Sequence, residues 1–215
     1  MRSVAIAFAL VLVTSGAALA SGGDPQKKIT AADQARAKAM LLRKSDLAPG
    51  FKVDRSSGGD TSFDCPALDE SDLTWTGHAE SGFSAGAAFA QSEAQVYESE
   101  SDASEAWKRD TSKAGLACLK AALRRDFAKQ GLALKSFRPL AFPRLSDKSA
   151  AYRMVVSGQS QGTSVPVYFD TVVLLHSRAE VLIGPGSALT PPPRAEEVRL
   201  ARLTARRMAT AMGGG

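Results

Sequence analysis

Asparagine is absent from the 215 residues, so N-linked glycosylation is excluded for want of an acceptor. Isoleucine occurs only at Ile6, Ile29 and Ile183, a bias expected of a GC-rich bacterial genome. Cysteine is limited to Cys65 and Cys118 and histidine to His78 and His176, with no ligand-type spacing between them. A closed zinc site built on thiolates therefore lacks its ligands, and neither metal nor cofactor is expected. Aromatic residues make up 7% of a chain that is 44% apolar and rich in alanine. That combination excludes disorder throughout and implies closely packed helices with a few large anchors. Two other features are missing. No nucleotide motif occurs, and no apolar run approaches the roughly 20 residues of a membrane-crossing helix. The spacing Gly-x-Ser-x-Gly does occur, at Gly82–Gly86 and Gly158–Gly162, but both places read as turns between strands rather than as the strand-to-helix elbow of a nucleophile.

The net charge of +5 is diffuse. Its pairs, Lys27-Lys28, Arg43-Lys44, Lys108-Arg109, Arg124-Arg125 and Arg206-Arg207, sit close to acidic or alanine-rich neighbours. Nucleic-acid binders concentrate charge on one face and interleave aromatics, so no nucleic-acid partner is expected. Solvated helix faces explain these pairs better, with an attraction to anionic cell-envelope polymers as the alternative.

What the chain does have begins at its N-terminal end. Arg2, an apolar run over 4–13, Thr14-Ser15-Gly16 and Ala18-Leu19-Ala20 make a positive start, a short hydrophobic stretch and a small-x-small ending. Together they read as a secretory signal peptide over 1–20, cut after Ala20. Ser21-Gly22-Gly23 follows, without the cysteine a lipoprotein needs. The mature chain is thus expected outside the cytoplasm, secreted or extracytoplasmic, with no stable membrane anchor. In that setting an even pair of cysteines is most simply one disulfide, Cys65 to Cys118. Closing that loop constrains the unfolded chain by roughly 4 kcal/mol on the loop-entropy account. A catalytic thiol with a histidine partner is the alternative.

Beyond a flexible lead-in over 21–29, a single α+β domain is expected over 30–212. Thr30 starts a helix over 30–44, with Ala32, Ala35, Ala39, Met40 and Leu42 as its apolar positions, and Pro49-Gly50 stops it. Period-two alternation through Phe89, Gln91, Glu93, Gln95 and Tyr97 predicts strands over 75–84 and 87–98, joined as a hairpin. One long helix should open at Ser101 and be capped by Gly131. Its faces would be Trp107, Thr111, Ala114, Cys118 and Ala121, and alongside them Leu116, Leu119, Leu123 and Phe127. Extended segments over 134–142, 150–157, 165–175 and 178–183 then form a meander. Gly184-Pro185-Gly186 and Pro191-Pro192-Pro193 read as a linker to a last helix over 194–212. The expected architecture is an antiparallel sheet of five to six strands packed against helices.

No catalytic constellation emerges. His78, followed by Glu80, is an acid or base without a nucleophile nearby and reads as a polar edge position. His176 and Asp170 share one side of a strand but stand roughly 20 Å apart, so His176 reads as a turn residue. Asp60, Asp64, Asp69, Glu70 and Asp72 lack the alternation and central glycine of a calcium loop and read as solvated loop.

Several pieces together resemble the PknH-like extracytoplasmic sensor domains of actinobacteria. They are Leu41-Leu42 with the stretch Asp46-Leu47-Ala48-Pro49-Gly50-Phe51, Val96-Tyr97 before Ala103 and Ala106, Cys118, Tyr152, Tyr168-Phe169-Asp170 with Val172-Val173, and the closing alanine-rich helix. Members of that family often hold two disulfides, whereas this chain can form one. The resemblance implies an α+β fold and a binding role. The expected function is a non-enzymatic, sensor-like domain whose groove takes a small or polymeric envelope ligand. Trp75, Trp107, Tyr152 and Tyr168 are the candidate binding residues, with Phe89 and Phe169 beside them. An extracytoplasmic hydrolase using His78 or His176, and an envelope protein-interaction module, are the alternatives.

Overall fold

The structure, a computed structural model, describes residues 25–54, 65–160 and 162–213. The signal peptide with its cleavage point, and most of the acidic loop including Asp60 and Asp64, lie outside the described residues. The described strands are β1 (Gln26–Lys27), β2 (Lys52–Val53), β3 (Thr74–Ala85), β4 (Ala88–Tyr97), β5 (Ala133–Pro139), β6 (Lys148–Ser160), β7 (Thr163–His176) and β8 (Ala179–Ala188). The helices are α1 (Ala31–Met40), α2 (Glu100–Thr111), α3 (Lys113–Lys129) and α4 (Arg194–Met212).

All eight strands join one sheet in the order β1-β3-β4-β8-β7-β6-β5, with β2 also on β3. The expected α+β class holds, with two corrections. The sheet has eight strands rather than five to six, because two-residue pieces on either side of α1 add to the margin of β3. It is also mixed, since β1 runs parallel to β3.

The sheet is covered on both faces, which the alternation along its central strands dictates. On β7 and β8, Val172, Leu174, Val181 and Ile183 meet Ala37, Met40, Leu200, Ala201 and Met208 of α1 and α4. Val173, Leu175 and Leu182 face the other way, with Trp75, Tyr97, Ala103, Ala106 and Trp107 beside α2. Leu119, Leu123 and Phe127 of α3 continue that layer over Met154 and Val156. Each such side chain contributes roughly 1.5–3 kcal/mol of burial.

Four local readings change. The predicted long helix is two, broken at Ser112. Ser112 is extended, at φ −68° and ψ 153°, and its Oγ accepts from Gly115 N at 2.8 Å, so the hydroxyl starts a new helix instead of continuing the old one. The expected continuous face fails with it: Trp107 is buried while Ala114 and Ala121 are exposed.

In α1, Thr30 accepts from Asp33 N as expected, but the helix ends at Met40. Its buried residues are Asp33, Ala37 and Met40, while Ala32, Ala35 and Ala39 face water. An aspartate takes the inward position because Arg178 donates to it twice, at 2.7 and 3.0 Å.

Gly184-Pro185-Gly186 is not a linker but the middle of β8. The β7–β8 ladder skips from Phe169↔Gly186 to Val172↔Ile183, so Pro185, which lacks an N–H, falls in the gap on that side while pairing with Ala90 on the other. Gly186 is required there, since a Cβ would stand 1.9 Å from the Phe89 ring.

Glu70, expected in solvated loop, is instead 2% exposed, inside the layer under α2.

Cys65 and Cys118 form a disulfide with Cα atoms 5.8 Å apart, tying α3 to the turn Pro66–Leu68 across a separation of 53 residues. Among the described residues, no helix is long and apolar enough to cross a membrane.

Candidate functional site

Where β4 and β8 run out beneath the start of α4, the chain leaves an open groove with a volume near 590 Å³. One wall is the segment after α1, with Asp46, Leu47, Ala48 and Phe51, and the opposite wall is Pro191-Pro192-Pro193. The floor is Ala88, Phe89 and Ala90 of β4 with Pro185 and Gly186 of β8. The walls are built for position rather than movement. Proline fixes φ in three successive residues of the strap, and Arg199 of α4 donates to the Asp46 carbonyl, lashing the first wall to the helix.

Charges at the groove are already committed. Arg207 grips Asp46 through two bonds of 2.6 and 2.8 Å, and Arg199 grips Glu196 at 2.6 and 2.7 Å. Burial works to raise the Asp46 pKa, but the bonds from Arg207 and from the Arg43 backbone outweigh it and hold the carboxyl below its usual range. Glu196 is lowered by Arg199 in the same way. With its ions neutralised in pairs, the groove offers mainly apolar surface, from Leu47, Phe51, Phe89 and the prolines.

A second constellation lies on the opposite face of the sheet. A one-residue irregularity in β3 between Trp75 and Gly77 shifts the parity of the strand, so that Trp75 and His78 point the same way and stack at 5.0 Å. Gly77 makes room at that point, because a Cβ would stand 2.3 Å from the Asp33 carbonyl oxygen of α1. His78 Nε2 then lies 2.8 Å from Glu93 Oε1 and 3.5 Å from Glu80 Oε1. Behind this trio the side of β4 that reads as polar in sequence is buried. Gln95 Nε2 donates to Glu93 Oε1 at 2.9 Å, and Tyr97 Oη donates to Gln95 Oε1 at 2.8 Å.

Glu70, Asp110 and Glu180 complete the buried layer, at 2%, 7% and 5% exposure. Burial pushes Glu70 up to about 8, with the charge of Asp110 next in weight. Burial likewise pushes Asp110 up to about 7, against the hydrogen bond from Glu180. Glu180 itself rises well above its ordinary value through burial and then the charges of Asp110 and Glu70. Burial penalises the ionised form, so these groups hold protons near neutral pH.

The expected binding residues do not converge on the groove. Trp75 and Trp107 are core residues at 5% and 9% exposure, in one cluster under α2. Tyr152 is half-buried and stacks on Phe137 at 5.7 Å. Tyr168 is half-buried in β7, opposite Val155 and Ser187. Of the aromatics expected to bind ligand only Phe89 lines the groove, with Phe169 in contact with it at 5.0 Å. The groove's own signal was present in the stretch from Asp46 to Phe51, in Gly184-Pro185-Gly186 and in Pro191-Pro192-Pro193. What the sequence hid was that these distant pieces meet.

Both histidines are engaged by carboxylates. His176 Nδ1 lies 3.1 Å from Asp147 Oδ2 at the turn after β7, where Ser177 has φ 52°, in keeping with its reading as a turn residue. Ser81 of β3 and its cross-strand partner Ser92 of β4 serve the fold: Ser81 Oγ donates to the Leu42 carbonyl, and Ser92 Oγ accepts from Leu42 N. No family model matches the chain, and no curated protein matches it.

Proposed function

We propose that the protein is an exported, non-enzymatic ligand-binding domain of the bacterial envelope, sensor-like in character, and that the groove between the segment 46–51 and the proline strap receives the ligand. The observation that carries this reading is the groove itself: 590 Å³ of concavity is in the size range of small-molecule sites. Its internally neutralised charges favour a ligand with an apolar face over an anion or a cation. The leader-like residues 1–20 and the disulfide support an oxidising, extracytoplasmic setting. The wall from Asp46 to Phe51 is also one of the stretches that resemble the PknH-like sensor domains. Such a domain needs no catalytic group, only a rigid cleft and a binding event that changes its surface.

The test is titration with the apolar fluorophore N-phenyl-1-naphthylamine. Ala48 is exposed on the groove wall, so Ala48→Trp fills the cleft without disturbing the core. The expected result is binding by the parent chain, weakened about tenfold or more in Ala48→Trp, a loss of about 1.4 kcal/mol, with the melting temperature unchanged. Equal binding by both proteins overturns the assignment.

A further inference from the structure

Glu80 of β3 and Glu93 of β4 are direct cross-strand partners. Like charges in directly opposed positions repel, and a sheet carries them only where something positive lies between. His78, one strand step away on the same side, puts its Nε2 at 2.8 and 3.5 Å from one oxygen of each. One potential ligand atom from each of the three residues falls within 4.8 Å of the others. Glu93 is 3% exposed, yet its Oε2 meets no hydrogen-bond donor. An acceptor left bare inside a protein is costly and points to a missing electropositive partner.

We propose that His78, Glu80 and Glu93 form a divalent-cation site of the zinc class, with His78 Nε2 and a carboxylate oxygen from each glutamate as ligands. One imidazole with two carboxylates suits Zn²⁺, whereas calcium and magnesium take oxygen ligands alone. The supporting shell is in place. Gln95 fixes the Glu93 carboxylate and is itself fixed by Tyr97, and the Trp75 ring holds the imidazole plane. Outer partners of this kind orient metal ligands. Entry is open, because the side chains of His78 and Glu80 are each 30% exposed. The charge opposing a cation from the neighbouring strand is Lys27, whose Nζ lies 5.9 Å over the Trp75 ring. Glu70, Asp110 and Glu180 sit deeper on the same face. The donor set leaves at least one position for water, so the site is of the open rather than the closed type.

Equilibrium dialysis of the chelator-treated whole chain against Zn²⁺ alone tests this. The expected result is one equivalent retained, with affinity at least about tenfold weaker in Glu80→Gln and in His78→Gln, and unchanged in His176→Gln. Trp75 emission should fall when Co²⁺ is added to the parent chain and not when it is added to Glu80→Gln. Glu93→Gln belongs to the series, but if burial of the amide impairs folding, Glu80→Gln decides, since its side chain is partly exposed and its melting temperature reports an intact fold. No retained zinc, retention unaffected by Glu80→Gln and His78→Gln together, or loss on His176→Gln overturns the proposal.

Discussion

Single side chains decide several of the contacts on which the fold turns. Arg178 donates to both oxygens of Asp33, to the Tyr97 carbonyl at 2.7 Å and to Thr76 Oγ1. Its hydrogen bonds are the largest reason that the Asp33 carboxyl lies far below the ordinary range. Replacing Arg178 with Met leaves the Asp33 carboxylate, 5% exposed, to Arg36, and chemical denaturation should show a loss of about 2 kcal/mol or more. A loss under about 1 kcal/mol would mean that water reaches Asp33. Gly186→Ala should cost about 1–3 kcal/mol through its collision with Phe89, read in the same experiment. Neither effect was legible in sequence. Asp33 looked like part of a helix start and Gly186 like part of a linker, because pairings across such distances along the chain leave no local pattern.

At the scale of elements, legibility followed periodicity. The last helix, residues 194–212, and the hairpin of β3 and β4 came out within a residue or two, since their alternation is long and their turns are marked by glycine. The break between α2 and α3 did not, because apolar residues keep helical spacing on both sides of Ser112 and only its hydroxyl reveals the cap. Ser112→Ala should cost about 1 kcal/mol and reduce helicity by circular dichroism. An unchanged denaturation midpoint would show that packing alone sets the break. The clasp between α3 and the turn at 66–68 is stronger. Cys65→Ser with Cys118→Ser should lose about 4 kcal/mol on the loop-entropy account. The irregularity in β3 that turns Trp75 and His78 to one side is the kind of feature that alternation counting misses, and it is why His78 was read without Glu93.

The molecule as a whole carries an unusual reserve of protons. Glu70, held at about 8, Asp110 and Glu197, both held at about 7, and Glu180, raised well above its ordinary value, all with burial the leading cause, bind protons more tightly folded than unfolded. Their stabilisation is complete below the unfolded carboxylate value and is lost as pH rises through these folded values. Asp33 and Asp46 act in reverse, stabilising above the unfolded value and losing that contribution as pH falls. The melting temperature should therefore peak near about pH 5 and decline toward about pH 8.5. Glu70→Gln should flatten the alkaline side of that profile. A melting temperature that climbs between these limits would contradict the protonation of the buried layer.

The α+β class, the disulfide and the order of the main elements could be read from residues, because composition and periodicity report burial. The groove could not, because it is the meeting of a helix end, a strand end and a proline strap. Its occupancy is what the functional account rests on. Native mass spectrometry of the chain recovered from the extracytoplasmic fraction reads that occupancy directly. The account predicts a species beginning at Ser21, with its one disulfide closed and an apolar molecule bound, and an Ala48→Trp chain recovered empty. A chain retaining Met1, or one that carries the same ligand in both forms, would contradict it.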